Sequence, residues 1–194
     1  LVKGNKSNSK FSINDKNGNI VLKEFFGQDG KWKGDHWGIA RYVYKYDEKG
    51  NKLLQETYGT DGKLEVYGDA RIARYVFKYD EKGNIILEET YRADGILKDY
   101  ISTKYDEKRN EILRELYNAE GKLFYKYMYK YDEKGNKVLE ETYGEDAKLR
   151  IKFVYKYDEK GNKLLEEAYR EDGKLFFKYV YDEKGNKLLQ ETYG

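Results

Sequence analysis

The sequence contains no cysteine and no proline, one histidine and one methionine. Without cysteine there are no disulfides, thiolate nucleophiles or cysteine-based metal sites, and the redox compartment is left open. One histidine cannot make a histidine cluster, and catalysis at His36 would need a nucleophile or carboxylate partner brought from elsewhere. Charge of one sign is also lacking. The 38 basic residues are interleaved with 36 acidic ones for a net charge of +2, so no polyanion-binding face is marked and nucleic acid is not expected as a partner. No apolar run approaches the roughly 20 residues that span a bilayer, so no membrane span is expected, and no signal-peptide pattern is visible. Mean hydropathy is only −1.03 and 38% of residues are charged, values that by themselves suggest disorder.

What the chain does have is tyrosine, in register. Aromatic residues make up 16% of it, with 22 tyrosines. The segment Tyr42-Val43-Tyr44-Lys45-Tyr46-Asp47-Glu48-Lys49-Gly50-Asn51-Lys52-Leu53-Leu54 recurs along the chain. Its aspartate falls at positions 15, 47, 80, 106, 132, 158 and 182, so successive spacings are 32, 33, 26, 26, 26 and 24. A near-constant period of this size marks a repeat array, in which each unit leans on its neighbours.

Each unit reads as strand, turn, strand. Tyr42, Tyr44 and Tyr46 alternate with Val43 and Lys45, a period of two rich in strand-favouring rings. Asp-Glu-Lys-Gly then supplies a turn: the aspartate accepts from backbone amides, and glycine takes the left-handed position. The structural turn residues are Asp47 and Gly50, Asp80 and Gly83, Asp132 and Gly135, Asp158 and Gly161, and Asp182 and Gly185. With a bulge at Gly50, Tyr46 is expected opposite Lys52, Tyr44 opposite Leu54 and Tyr42 opposite Glu56. Val43 would then share the other face with Leu53, Gln55 and Thr57. A second turn closes each return strand, as at Gly59-Thr60-Asp61-Gly62 and Arg170-Glu171-Asp172-Gly173. Arg109 and Ala147 stand where other copies have glycine, and a local rearrangement is expected at both. The predicted fold is all-β: an elongated, twisted antiparallel meander of tandem β-hairpin repeats that curls.

Three regions are distinguished. Residues 1–10 are a polar leader, 11–40 a divergent first hairpin with an aromatic insertion, and 41–194 six tandem Tyr-Asp-x-x-Gly-Asn hairpins. The insertion at 31–40 carries Trp32, His36 and Trp37, and a second one at 63–73 carries Tyr67. Both end in Ile-Ala-Arg-Tyr. Insertions in arrays map to loops on one face, often the binding face, so Trp32, His36, Trp37, Tyr44 and Tyr67 are the candidate ligand or partner contacts. The start at Leu1-Val2 suggests a processed product, and the stop at Tyr193-Gly194 an uncapped last strand open to a protein partner or to self-association.

No catalytic, metal or cofactor residue is expected. The paired glutamates Glu88-Glu89, Glu140-Glu141 and Glu166-Glu167 recur once per unit, whereas an active site is a single constellation. Asp-Glu-Lys-Gly-Asn places lysine where a calcium loop needs oxygen. The exposed rings leave a carbohydrate or glycan as the alternative ligand class.

The stretch Gly173-Lys174-Leu175-Phe176-Phe177-Lys178-Tyr179-Val180-Tyr181-Asp182-Glu183-Lys184-Gly185-Asn186 resembles the YD repeat of the Rhs family, a glycine and short strand followed by Tyr-x-Tyr-Asp-x-x-Gly-Arg/Asn. The likeness covers roughly residues 41–193, and loosely 11–40. It implies strand-turn-strand units of an exported or surface-exposed bacterial scaffold, hence an extracellular or cell-surface location. A weaker likeness, to the aromatic hairpin repeats of cell-wall-binding modules, implies sugar or choline sites. The expected function is a non-catalytic repeat scaffold acting by interaction, with a carbohydrate- or cell-wall-binding module as the alternative.

Overall fold

A computed structural model describes residues 9–66 and 71–193. Every regular element in it is a β-strand, and the strands follow one another in chain order as a single open antiparallel meander of 14 strands. The chain divides into two compact units, Leu1–Tyr100 and Ile101–Gly194.

The first unit contains β1 (Ser9–Asn14), β2 (Ile20–Phe26), β3 (Arg41–Tyr46), β4 (Lys52–Tyr58), β5 (Arg74–Tyr79) and β6 (Ile85–Tyr91). Next comes β7 (Leu97–Tyr105), which carries the unit boundary. The second unit continues with β8 (Glu111–Asn118), β9 (Leu123–Tyr131), β10 (Lys137–Tyr143), β11 (Leu149–Tyr157), β12 (Lys163–Arg170), β13 (Leu175–Tyr181) and β14 (Lys187–Thr192).

The hairpin turns form as the sequence predicts. The Gly50 amide donates to the Asp47 carbonyl at 3.1 Å, the Asp47 amide to the Asn51 carbonyl at 2.9 Å, and Gly50 has φ +85°. Arg109 and Ala147 hold φ of 70° and 59°. No rearrangement occurs at either: the turn bonds are made as in the glycine copies, Arg109 N to Asp106 O at 3.1 Å and Ala147 N to Gly144 O at 3.0 Å. The neighbouring strands over-determine the turn, and the left-handed strain is absorbed in place. Ala147→Gly should therefore stabilise the second unit by about 1 kcal/mol, read as a rise in its thermal midpoint of about 4–8 °C by calorimetry.

The register beyond the turn differs from the expectation. Tyr46 does face Lys52, but a bulge at Leu53 then shifts the pairing, so that Lys45 faces Leu54, Tyr44 faces Gln55 and Tyr42 faces Thr57. The same shift recurs at Tyr131/Lys137, Tyr157/Lys163 and Tyr181/Lys187. An extra residue beside a turn flips every following side chain to the other face. Val43 therefore shares its face with Leu54, Glu56 and Tyr58, and the tyrosine face carries Gln55 and Thr57. The bulge also puts Lys52 and Gln55, three apart, on one face, where the ammonium donates to Gln55 Oε1 at 3.1 Å and lies 5.1 Å from the Tyr44 ring centre. Lys137, Lys163 and Lys187 cover Tyr129, Tyr155 and Tyr179 in the same way.

The ring ladder runs along each strand. Tyr42 stacks on Tyr44 at 6.4 Å, Tyr75 on Phe77 at 6.1 Å and Phe177 on Tyr179 at 4.7 Å. The last tyrosine of a forward strand ties one repeat to the one before it: Tyr79 Oη donates to Lys52 O at 2.8 Å, Tyr131 Oη to Glu111 O at 2.9 Å and Tyr157 Oη to Lys137 O at 3.0 Å. Few residues are fully enclosed. In the first unit these include Ile39, Ala40, Ile72 and Ala73, the ends of the two insertions. They are buried because they extend the ladder: Phe25 N donates to Ala40 O, Ala40 N to Tyr58 O, Thr57 N to Ala73 O and Ala73 N to Tyr91 O.

Candidate functional site

The insertion at 31–40 is itself a turn of the repeat's own kind. Asp35 stands where Asp47 stands, and Gly38 (φ +82°) where Gly50 stands. The Gly38 amide donates to Asp35 O at 3.0 Å and the Asp35 amide to Ile39 O at 2.9 Å. Asp35 Oδ1 accepts from the amides of Trp37 (2.9 Å) and Ile39 (3.1 Å). Its Oδ2 takes the Tyr42 hydroxyl at 2.7 Å, where the Asp-x-x-Gly-Asn turns use the asparagine Nδ2. This fixes His36 and Trp37 at the turn tip. Both are exposed, Trp37 at 49%, with ring centres 4.8 Å apart.

The other candidates do not converge there. Trp32 is half-buried: the Arg41 guanidinium lies 6.0 Å from its ring centre, and Gly62 leaves room for its edge, since an added Cβ would sit 3.3 Å from Trp32 Cζ3. Tyr44 is on the sheet face under Lys52. Tyr67 lies outside the described residues. The site therefore reduces to the His36–Trp37 tip.

Two sets of residues escaped the sequence reading. The first is the turn asparagines. Asn51 Nδ2 donates to Asp47 Oδ2 at 2.8 Å, while Asp47 Oδ1 accepts from the Lys49 and Asn51 amides at 2.9 and 2.8 Å. Asp132 with Asn136, Asp158 with Asn162 and Asp182 with Asn186 repeat the arrangement. The recurrence of Asn after each Gly was the available signal.

These bonds, the asparagine's foremost, hold Asp15, Asp47, Asp106, Asp132, Asp158 and Asp182 below the ordinary aspartate range. A carboxyl that is more acidic folded than unfolded contributes stability that is complete above the unfolded pKa, near 3.9, and is lost as pH falls through the folded value. The thermal midpoint should hold steady from pH 7 to about 5 and fall progressively below it. A pH series by calorimetry checks this, and a midpoint that rises on acidification would contradict it.

The second set is a stripe on the valine face, where carboxylate, phenol and cation meet. Tyr58 Oη donates to Glu56 at 2.7 Å, Tyr143 Oη to Glu141 at 2.8 Å and Tyr169 Oη to Glu167 at 2.8 Å. The adjacent strand supplies the cation: Arg74 Nε is 2.6 Å from Glu56, and Lys178 Nζ 3.2 Å from Glu167. Burial lifts the Tyr58 and Tyr143 hydroxyls, and the Glu167 bond foremost lifts that of Tyr169. Burial opposes ionisation of Glu167, but Tyr169 and Lys178 outweigh it and the carboxyl ends below its usual range. These carboxylates are consumed by pairing within the sheet.

Open grooves run between successive turns. One, of about 640 Å³, is lined by Asp47, Lys49, Asn51, Leu53, Phe77 and Tyr79 among others. Its counterpart in the second unit, about 550 Å³, is lined by Asp106, Lys108, Ile112, Tyr129 and Tyr131 among others.

No family model matches the chain, and no curated protein matches its sequence. Among solved structures, a protein of unknown function from Bacteroides fragilis NCTC 9343 is 14% identical, with 61% of this chain and 90% of that one covered, at a TM-score of 0.37. The Photorhabdus luminescens Tc holotoxin pore is 9% identical, with 96% of this chain and 15% of that one covered, at a TM-score of 0.39. The complex TcdB2-TccC3-TEV is 13% identical over 98% of this chain and 12% of that one, at 0.31. The chain thus spans only a small part of the toxin chains it resembles, and at these TM-scores the likenesses carry no argument about function.

Proposed function

We propose that the protein is a non-catalytic, exported β-hairpin repeat scaffold that acts by protein–protein contact, through the His36–Trp37 turn tip. The observation that carries this reading is where the polar chemistry goes. Turn aspartates close their own turns, the recurrent glutamates take a tyrosine hydroxyl and a cation, and Tyr44, Tyr129, Tyr155 and Tyr179 lie under lysine ammonium groups. Trp37 stands at the tip of the Asp35 turn, which binds its backbone amide, and its ring is 49% exposed beside that of His36; exposed indoles are favoured anchors of protein interfaces. The YD-repeat resemblance supports an exported location in the same direction. Trp37→Ala leaves the Asp35 turn bonds, which use backbone amides, in place. It should cut capture of partners from the surface fraction of the source cell by at least about tenfold. Capture unchanged in the variant would sink the tip as a contact.

The second reading is a carbohydrate-binding module. It is favoured by the two equivalent grooves, each with an aromatic wall beside carboxylate and ammonium groups. A glycan array separates the two: saturable hits weakened by Tyr79→Ala support the sugar reading, and a blank array removes it.

A further inference from the structure

The first hairpin turn departs from its later copies at the residue before the glycine. In the later copies that residue is lysine. Three of these lysines brace the next turn along: Lys49 Nζ donates to Glu81 O at 3.3 Å, Lys108 Nζ to Glu133 O at 2.5 Å and Lys134 Nζ to Glu159 O at 2.6 Å. The first turn, Asp15-Lys16-Asn17-Gly18-Asn19, has asparagine in that place. Asn17 is exposed, and among the described residues its side-chain amide makes no hydrogen bond. It is also the one asparagine in the sequence that is followed by glycine.

Such a step has a reaction of its own. The glycine backbone nitrogen attacks the asparagine Cγ, its proton passes to the departing amide nitrogen, and ammonia leaves. A succinimide ring remains, and water opens it at either carbonyl to give aspartate or isoaspartate. The net change is OH for NH2, and no oxidant or reductant enters. Glycine favours the attack because no Cβ shields its nitrogen. At Gly18 the surroundings are open too: a Cβ built there meets nothing within 4 Å, whereas at Gly83 and Gly161 the side chains of Asn51 and Asn136 stand at 3.7 and 3.6 Å. The fold sets the pace. The nucleophile, Gly18 N, has its hydrogen on Asp15 O at 3.1 Å, and Asp15 Oδ1 accepts from the amides of Asn17 and Asn19 at 2.8 and 2.9 Å. Ring closure therefore waits for this turn to open. The turn leads out of β1, which is exposed along its whole length, so opening is cheap here. Other steps are closed off. Asp29-Gly30, Asp61-Gly62, Asp94-Gly95 and Asp172-Gly173 offer a carboxylate, a poorer electrophile, whose Oδ1 already accepts a backbone amide. Asn51, Asn136, Asn162 and Asn186 precede lysine, and their Nδ2 groups are bonded to aspartate.

We propose that Asn17-Gly18 is a self-modifying site, which converts to aspartate and isoaspartate when the Asp15 turn opens, and that the conversion unlatches the first hairpin. Isoaspartate runs the main chain through its own Cβ and so lengthens the turn by one carbon. That turn is closed by Asp15 N to Asn19 O at 2.8 Å and by Gly18 N to Asp15 O at 3.1 Å, and a longer loop cannot keep both bonds. Either product also sets a second carboxylate next to that of Asp15, whose Oδ1 lies 2.8 Å from the residue 17 amide, and like charges so placed repel. What loosens is the pairing of β1 with β2, from Ser9 opposite Phe26 to Asn14 opposite Ile20. The site does not depend on the Trp37 contact and is tested separately from it.

The test incubates the full chain at mildly alkaline pH and follows residue 17 by mass spectrometry, with fragmentation that tells isoaspartate from aspartate. A free peptide of residues 10–24 runs alongside. Residue 17 should convert at least about tenfold faster than Asn51, Asn136, Asn162 or Asn186. It should convert about tenfold more slowly than in the free peptide, because only the opened turn reacts. Asp15→Ala removes the carboxylate that closes the turn and should bring the rate to within about threefold of the peptide's. As isoaspartate accumulates, amides 11–13 and 22–24 should lose at least about tenfold in hydrogen-exchange protection. Asn17→Lys, which installs the residue of the other copies, should pass through the same incubation with mass and protection unchanged. A chain still intact at residue 17 once the peptide has fully reacted would overturn the site. A rate equal to the peptide's, or one unmoved by Asp15→Ala, would overturn the control by the turn. Conversion that leaves protection at 11–13 as it was would overturn the unlatching.

Discussion

Arg74→Ala is expected to lower the unfolding free energy by about 2–3 kcal/mol, well beyond the usual effect of losing a surface ion pair. The reason is what it leaves behind. Glu56 is only 9% exposed and its carboxylate takes a guanidinium Nε at 2.6 Å and a phenol at 2.7 Å. Removing the cation strands a carboxylate that water reaches poorly, and such groups cost more to orphan than the pair was worth. The figure stays below the 3–5 kcal/mol typical of fully buried pairs because the Arg74 side chain is 33% exposed. Two controls separate the causes. Lys152→Ala, whose ammonium sits 3.9 Å from Glu141 and is 38% exposed, should cost under about 1 kcal/mol. The double change Glu56→Met with Arg74→Leu should recover most of the loss, since no orphaned charge remains. Urea unfolding read by tyrosine and tryptophan fluorescence gives all three values. An Arg74→Ala loss no larger than that of Lys152→Ala would refute the account.

Gly34→Ala should destabilise the first unit by a comparable amount, about 2–3 kcal/mol. The cause is not backbone conformation but space. A Cβ at residue 34 would lie 2.6 Å from the carbonyl carbon and oxygen of Gly38, and both are backbone held by the Asp35 turn. The turn must open or shift, and with it goes the anchor of Trp37 and the start of the buried Ile39-Ala40 pair. Gly173→Ala makes the contrast: a Cβ there meets nothing within 4 Å but sits at φ +77°, so about 1 kcal/mol of left-handed strain is expected. Thermal unfolding of both variants checks the order. The reverse ranking would mean that the 34–38 turn is loose.

The repeat and its two turns were legible because they rest on local chemistry. A ring at every second residue reads as a strand, and an aspartate three residues before a glycine reads as a turn whatever lies around it. Asp35-His36-Trp37-Gly38 obeys the same grammar and could have been read so. Its two aromatics, in place of the usual Glu-Lys, mask the aspartate–glycine spacing. The left-handed Arg109 and Ala147 show the limit from the other side: local preference argued for rearrangement, and the flanking ladders held the turn instead.

By itself, then, the order of residues determined an all-β array of hairpins with strands and turns in their places, since alternation and turn geometry act within a few neighbours. Only the tertiary structure decided which face each side chain joins. One bulged residue at Leu53 inverts everything after it, and whether a strand bulges depends on the best fit to its partner across the sheet. The same holds for the identical tetrapeptides at 56–59 and 141–144: Glu56 and Thr57 are buried, with Thr57 bonded to the carbonyls of Glu65 and Ala73, while Glu141 and Thr142 are half-buried, because burial is a property of what lies alongside, which no segment carries in its own sequence.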